Sequence, residues 1–111
     1  MDRNFLGTWT VQNPDAGQDL GSDGVLLLVG GTYHFLANGY VNMKLTFRDW
    51  GGQLCDELWV GRFTSEEGGC VDIAFIGGPR ERFRMTSDGQ LVRESTNRSN
   101  VVEGSITLLR T

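Results

Sequence analysis

Turn signals recur roughly every ten residues along the chain, and this spacing constrains the fold more than any other feature. Asn38-Gly39, Gly51-Gly52, Ser65 to Gly69, Gly77-Gly78-Pro79 and Asp88-Gly89 each separate stretches in which apolar and polar residues alternate. Sixteen glycines against two prolines, with six Phe, three Trp and two Tyr, suit strands joined by tight turns better than helices. No segment keeps a helical period. The expected fold is an all-β, antiparallel up-and-down barrel of eight or nine strands with little or no helix, because closure removes the edges such a meander would expose. At 111 residues it forms one domain, residues 1–111, with a core that needs no disulfide or metal staple.

The strands predicted from this pattern begin with Phe5 to Gln12. A loop over Asn13 to Gly24 follows, in which Asp15, Asp19 and Asp23 lack the ligand order of a calcium loop. Val25 to Val29 is a continuous apolar run, as in a strand buried on both faces, and ends at Gly30-Gly31. Thr32 to Ala37 and Tyr40 to Trp50 flank Asn38-Gly39, the strongest hairpin signal present. A two-residue turn there pairs His34 with Met43 and gathers His34, Leu36, Val41, Met43, Leu45 and Phe47 on one face. Tyr33, Phe35, Ala37, Tyr40, Asn42 and Lys44 fall on the other. Further strands are expected over Gln53 to Phe63, Cys70 to Ile76, Glu81 to Thr86, Leu91 to Thr96 and Val101 to Arg110.

Charge narrows the partners. The net charge is −4, with ten acids against four bases in residues 1–78 and four against six in 79–111. A nucleic-acid binder needs a basic face to release counterions, and the chain as a whole lacks one, so no nucleic-acid partner is expected. No apolar run of about 18 residues is present, so no membrane span is expected. Met1-Asp2-Arg3-Asn4 lacks the basic-then-apolar start of a signal peptide, which points to a cytoplasmic protein with Cys55 and Cys70 reduced. Asn97-Arg98-Ser99 fits a glycosylation pattern without consequence there.

Phe5-Leu6-Gly7-Thr8-Trp9 resembles the opening strand of the calycin group, which comprises lipocalins, fatty-acid-binding proteins and avidin-like barrels and carries Gly-x-Trp at this place. Asp88 to Val92 followed by Ile106 to Arg110 is similar to the closing strands of the fatty-acid-binding branch. The resemblance implies a small barrel that holds an apolar molecule, with an arginine of the last strand across the tryptophan. Arg110 is the position able to take that role, since it shares a face with Leu108 and Ile106. The helix pair and the Arg-x-Tyr carboxylate clamp of the fatty-acid-binding branch have no counterpart here.

Groups able to carry chemistry are few. His34 is the lone histidine, and on an apolar face it reads as a hydrogen-bonded core residue. With Cys55 and Cys70 it lacks the closely spaced ligand pairs of a zinc site. Cys70 is expected opposite residue 62 or 63, too far from Cys55 for a disulfide. Asp56-Glu57 and Glu66-Glu67 are adjacent acids and point to opposite faces of a strand. A two-residue turn at Asp88-Gly89 sets Arg84 opposite Arg93, a like-charge pair that needs Glu94, Asp72 or an anionic ligand between. Two functions fit. One is a non-catalytic binding barrel for a small, partly apolar and possibly anionic molecule, with Trp9, His34, Met43, Leu45, Phe47, Leu58, Arg84, Arg93 and Arg110 as site residues and no cofactor or metal. The alternative is a protein-interaction module, of protease-inhibitor or immunity type, or a homodimer, acting through surplus outer apolar residues: Leu26, Leu28, Tyr33, Phe35 and Tyr40. No motif supports an enzyme.

Overall fold

The computed structural model describes residues 5–12, 17–19, 25–49, 51–66, 68–78, 80–94 and 106–111, with the backbone alone at 17–19 and 25–28. Nine strands run through these residues: β1 Gly7–Gln12, β2 Gly17–Asp19, β3 Val25–Phe35, β4 Tyr40–Arg48, β5 Leu54–Glu66, β6 Cys70–Phe75, β7 Arg80–Met85, β8 Leu91–Arg93 and β9 Thr107–Arg110. All pair antiparallel with their sequence neighbours from β2 to β9, and β1 lies between β9 and β3, which closes an eight-stranded barrel. β2 adds to the outer part of β3 beyond the closed ring. The all-β antiparallel barrel read from the turn spacing is the observed fold, and no α-helix occurs among the described residues.

Alternation along each strand sorts the side chains. Phe5, Trp9 and Val11, Tyr33 and Phe35, the alternate residues Val41, Met43, Leu45 and Phe47, Phe63, the alternate residues Val71, Ile73 and Phe75, Phe83, Leu91, Ile106 and Leu108 form one buried cluster. These residues account for most of the rings in the chain, and their burial at about 25 cal/mol per Å² of apolar surface is the main force holding the barrel shut.

The hairpins differ from the predicted register by one residue. Phe35 lies opposite Val41 and Tyr33 opposite Met43, with Leu36 accepting from the Gly39 amide at 3.0 Å and donating to Tyr40 at 2.8 Å. The loop is therefore three residues, Ala37-Asn38-Gly39, with Gly39 at φ +90°, a left-handed position that glycine takes without a Cβ clash. Asp88-Gly89 behaves identically: Thr86 and Gln90 close the loop and Gly89 sits at φ +82°. Because side chains alternate with period two, a one-residue slip turns every residue of one strand over. Tyr33 and Phe35 consequently point inward and are buried, while His34 lies outside, the reverse of the predicted face.

β3 shows a second departure. Gly30-Gly31 does not end a strand, and the apolar run continues directly into Thr32–Phe35. A bulge at Val29 changes the register between Leu28, opposite Phe47, and Gly30, opposite Thr46. The predicted two-faced burial of Val25 to Val29 and the outer position of Leu26 and Leu28 concern side chains that are mostly outside the described set. Asp15, Asp23, Trp50 and Asn97 to Ser99 also lie outside the described residues, as does the Asp19 side chain.

Candidate functional site

The predicted ligand-lining residues divide into three locations. Trp9, Met43, Leu45 and Phe47 point into the barrel, where none is more than 1% exposed. A cavity holding a ligand would leave its lining open to at least a water-sized contact, so these four residues face other side chains. Leu58 lies outside, 74% exposed, because the inward residues of β5 are Trp59, Gly61 and Phe63. His34 is also on the outer surface, in a groove of about 360 Å³ with Lys44, Leu58 and Val60.

Arg84 and Arg93 are not opposite one another. The three-residue loop pairs Arg93 with Phe83 and Arg84 with Val92, which sends the two arginines to different faces. Arg84 lies outside and binds Glu94 at 2.6 Å, the ordinary partner anticipated for it. Arg93 is buried inside the barrel. There its Nη1 donates to Glu81 Oε2 at 3.0 Å, and the Tyr33 hydroxyl donates to Glu81 Oε1 at 2.7 Å. Burial pushes the Glu81 carboxyl above its ordinary range, while the Tyr33 and Arg93 hydrogen bonds pull it back. Burial likewise raises Tyr33 well above an ordinary phenol, reinforced by the adjacent Glu81 charge. Sequence reasoning missed this internal triad, although the correct register would have placed Tyr33, Glu81 and Arg93 on inward positions.

Arg110 does cover Trp9. Its guanidinium carbon stands 4.3 Å from the indole centroid, in the rung that pairs the two residues. Nη1 donates to the Leu6 carbonyl at 2.8 Å and the indole Nε1 donates to the Phe5 carbonyl at 3.0 Å. Gly7 between them has φ +113°, and a Cβ there would stand 3.4 Å from Arg110 Nη1. The Gly-x-Trp run thus fixes the seam where the first and last strands meet.

The outer surface carries the unsatisfied features. Leu54, Leu58, Val60 and Ile76 are the exposed large apolar ones among the described residues. Among the described residues, 54–59 pair with β4 alone, because β6 joins β5 only from Gly61 onward. Asp49 N–H donates to the Gln53 carbonyl at 2.9 Å. By alternation, Cys55, Glu57 and Trp59 then direct their backbone groups toward β4, and Leu54, Asp56 and Leu58 direct theirs outward. The Ile76 amide, donating to the Val60 carbonyl at 2.9 Å, agrees with that assignment. Asp56 is held lightly by Thr46 at 2.8 Å and Lys44 at 3.8 Å.

Cys55 and Cys70 are both free thiols. Cys70 faces Glu66, at the opposite end of β5 from Cys55, instead of residue 62 or 63, because β5 runs on as far as Glu66 before the chain reverses. No group of three metal-ligating side chains occurs among the described residues, and no described helix is long and apolar enough to cross a membrane. Compared with family models, curated proteins and solved structures, the chain matches none.

Proposed function

We propose that this protein is a non-catalytic binding barrel that works from its outer surface, by adding an extended segment of a partner protein to the open edge of β5. The observation that carries this reading is the coincidence, at Leu54 to Leu58, of one-sided strand pairing with outward leucines 57% and 74% exposed. Main-chain hydrogen bonds to such an edge supply affinity, and alternate side chains supply selectivity. The close packing around Trp9, Met43, Leu45 and Phe47 weighs against the alternative of an apolar molecule held inside, even though the Trp9–Arg110 pair supports a calycin-like closure.

The partner segment has apolar residues at alternate positions and a basic residue at the rung of Asp56. A second copy fits less well. Antiparallel self-pairing about Asp56 puts Leu54 on Leu58, but it also sets Asp56 against Asp56, a destabilising like-charge rung.

Extended ten-residue peptides selected on the immobilised barrel test the proposal. Those with alternating apolar residues and a central Lys or Arg are expected to shift the amide signals of Leu54, Asp56 and Leu58. Leu58→Pro removes one outward N–H without touching the core, and proline is tolerated where an edge N–H faces solvent. The variant is expected to fold and to lose peptide binding. Unchanged binding by Leu58→Pro would refute the edge assignment. A concentration-dependent dimer abolished by the same substitution would replace the partner protein with a second copy.

A further inference from the structure

On the outer face of β5, β6 and β7, Arg62, Ala74 and Arg80 occupy one rung across three strands. Alanine between two arginines leaves a notch, and a groove of about 380 Å³ opens there, lined also by Thr64, Asp72 and Arg82. With neighbouring strands about 4.8 Å apart, the two arginine Cα atoms are about 10 Å apart, so both guanidinium groups can reach one small group above Ala74.

The charges around the notch are unequally matched. Arg82 is engaged by Glu66 at 3.0 Å, Asp72 at 3.2 Å and Glu94 at 3.3 Å, and Glu94 also takes Arg84. Burial and a hydrogen bond with Glu66 push the Asp72 carboxyl up, while the Arg82 charge beside it pulls it back. Arg62 and Arg80 have no carboxylate partner among the described residues. Arg62 is instead held by Tyr40, with its guanidinium carbon 4.9 Å from the ring centroid and Nη2 donating to the hydroxyl at 2.8 Å. It therefore keeps its charge, and because Tyr40 lies on β4 the guanidinium swings across β5 to meet a group above Ala74.

We infer that this notch is a binding site for the phosphoryl group of a small molecule. A carboxylate has two oxygens and is satisfied by one guanidinium fork, whereas a phosphoryl group offers three and suits two forks with the Thr64 hydroxyl beside them. This site is independent of the β5 edge, which begins at the other end of the strand.

Titration with inorganic phosphate and with pyrophosphate, at constant ionic strength set by chloride, tests the site through the Arg Nε–H signals. Saturable shifts of Arg62 and Arg80, larger than those produced by acetate, are expected. Arg80→Gln should weaken binding roughly tenfold or more, since a charge-assisted hydrogen bond is worth about 1.5–3 kcal/mol. Ala74→Leu keeps both arginines but fills the notch and should abolish the shifts, while an unchanged amide spectrum elsewhere shows that the barrel is intact. Pyrophosphate binding tighter than phosphate assigns a diphosphate ligand, and equal binding assigns a monophosphate. Equal response to acetate, or shifts that survive Ala74→Leu, would overturn the inference.

Discussion

Glu81→Ala is expected to lower folding stability by about 3–5 kcal/mol, the usual cost of removing one member of a buried ion pair. Its carboxylate accepts from both the Tyr33 hydroxyl and Arg93 Nη1, at positions 0% and 6% exposed, so one substitution removes a partner from two buried polar groups. Urea midpoints measure the loss. Against a total stability of about 5–15 kcal/mol, it takes the barrel close to unfolding. Replacing all three residues with apolar ones of like volume, Tyr33→Phe, Glu81→Met and Arg93→Leu, is expected to cost far less than Glu81→Ala, because no buried charge then remains to be solvated. If the triple variant is the less stable of the two, the triad contributes through geometry instead of charge.

The same group makes a pH prediction. The native Glu81 carboxyl lies above its unfolded value because burial outweighs its hydrogen bonds. Between those two values the native state holds the extra proton, so this group's contribution to stability falls as pH rises through the window. Arg93→Met removes one of the influences that lower the native value. The deficit of Arg93→Met relative to the parent should therefore grow as pH rises above the carboxylate range. A constant deficit across pH would show that Glu81 does not titrate there.

Turn spacing made the barrel legible, whereas turn type hid the interior. Asn38-Gly39 and Asp88-Gly89 announce a hairpin, yet both two- and three-residue loops use these dipeptides, and the choice reverses one strand. One strand of each hairpin keeps its assignment and the other loses it by that single residue. Thus Val41, Met43, Leu45 and Phe47 are inward as expected, while Tyr33 and His34 exchange faces and Arg93 leaves the face expected to be shared with Arg84 and enters the core. Aromatic weight offered a usable signal: the face with Tyr33 and Phe35 buries more apolar area than that with His34 and Leu36. The open edge of β5 was beyond sequence reasoning, because it depends on where β6 ends against a longer neighbour.

At the seam, the local motif and the long-range structure agree, and this makes Trp9 the second large expected effect. Trp9→Ala should cost about 3–5 kcal/mol, as for other large buried aromatics, with Trp9→Phe costing less. The loss exceeds burial alone because β1 joins β9 on one side and β3 on the other. Loosening β1 converts a closed barrel into a sheet with two free edges, so Trp9→Ala should also associate at concentrations where the parent remains monodisperse. Arg110 can be separated from this by a double-mutant cycle. Its head group binds the Leu6 carbonyl as well as covering the indole, so Arg110→Ala alone reports several contacts. The coupling between Trp9→Leu and Arg110→Ala isolates the cation–ring contact, expected at about 0.5–2 kcal/mol. A coupling near zero would mean that Arg110 closes the seam through Leu6 alone, and that the indole holds β1 by packing without help from the charge above it.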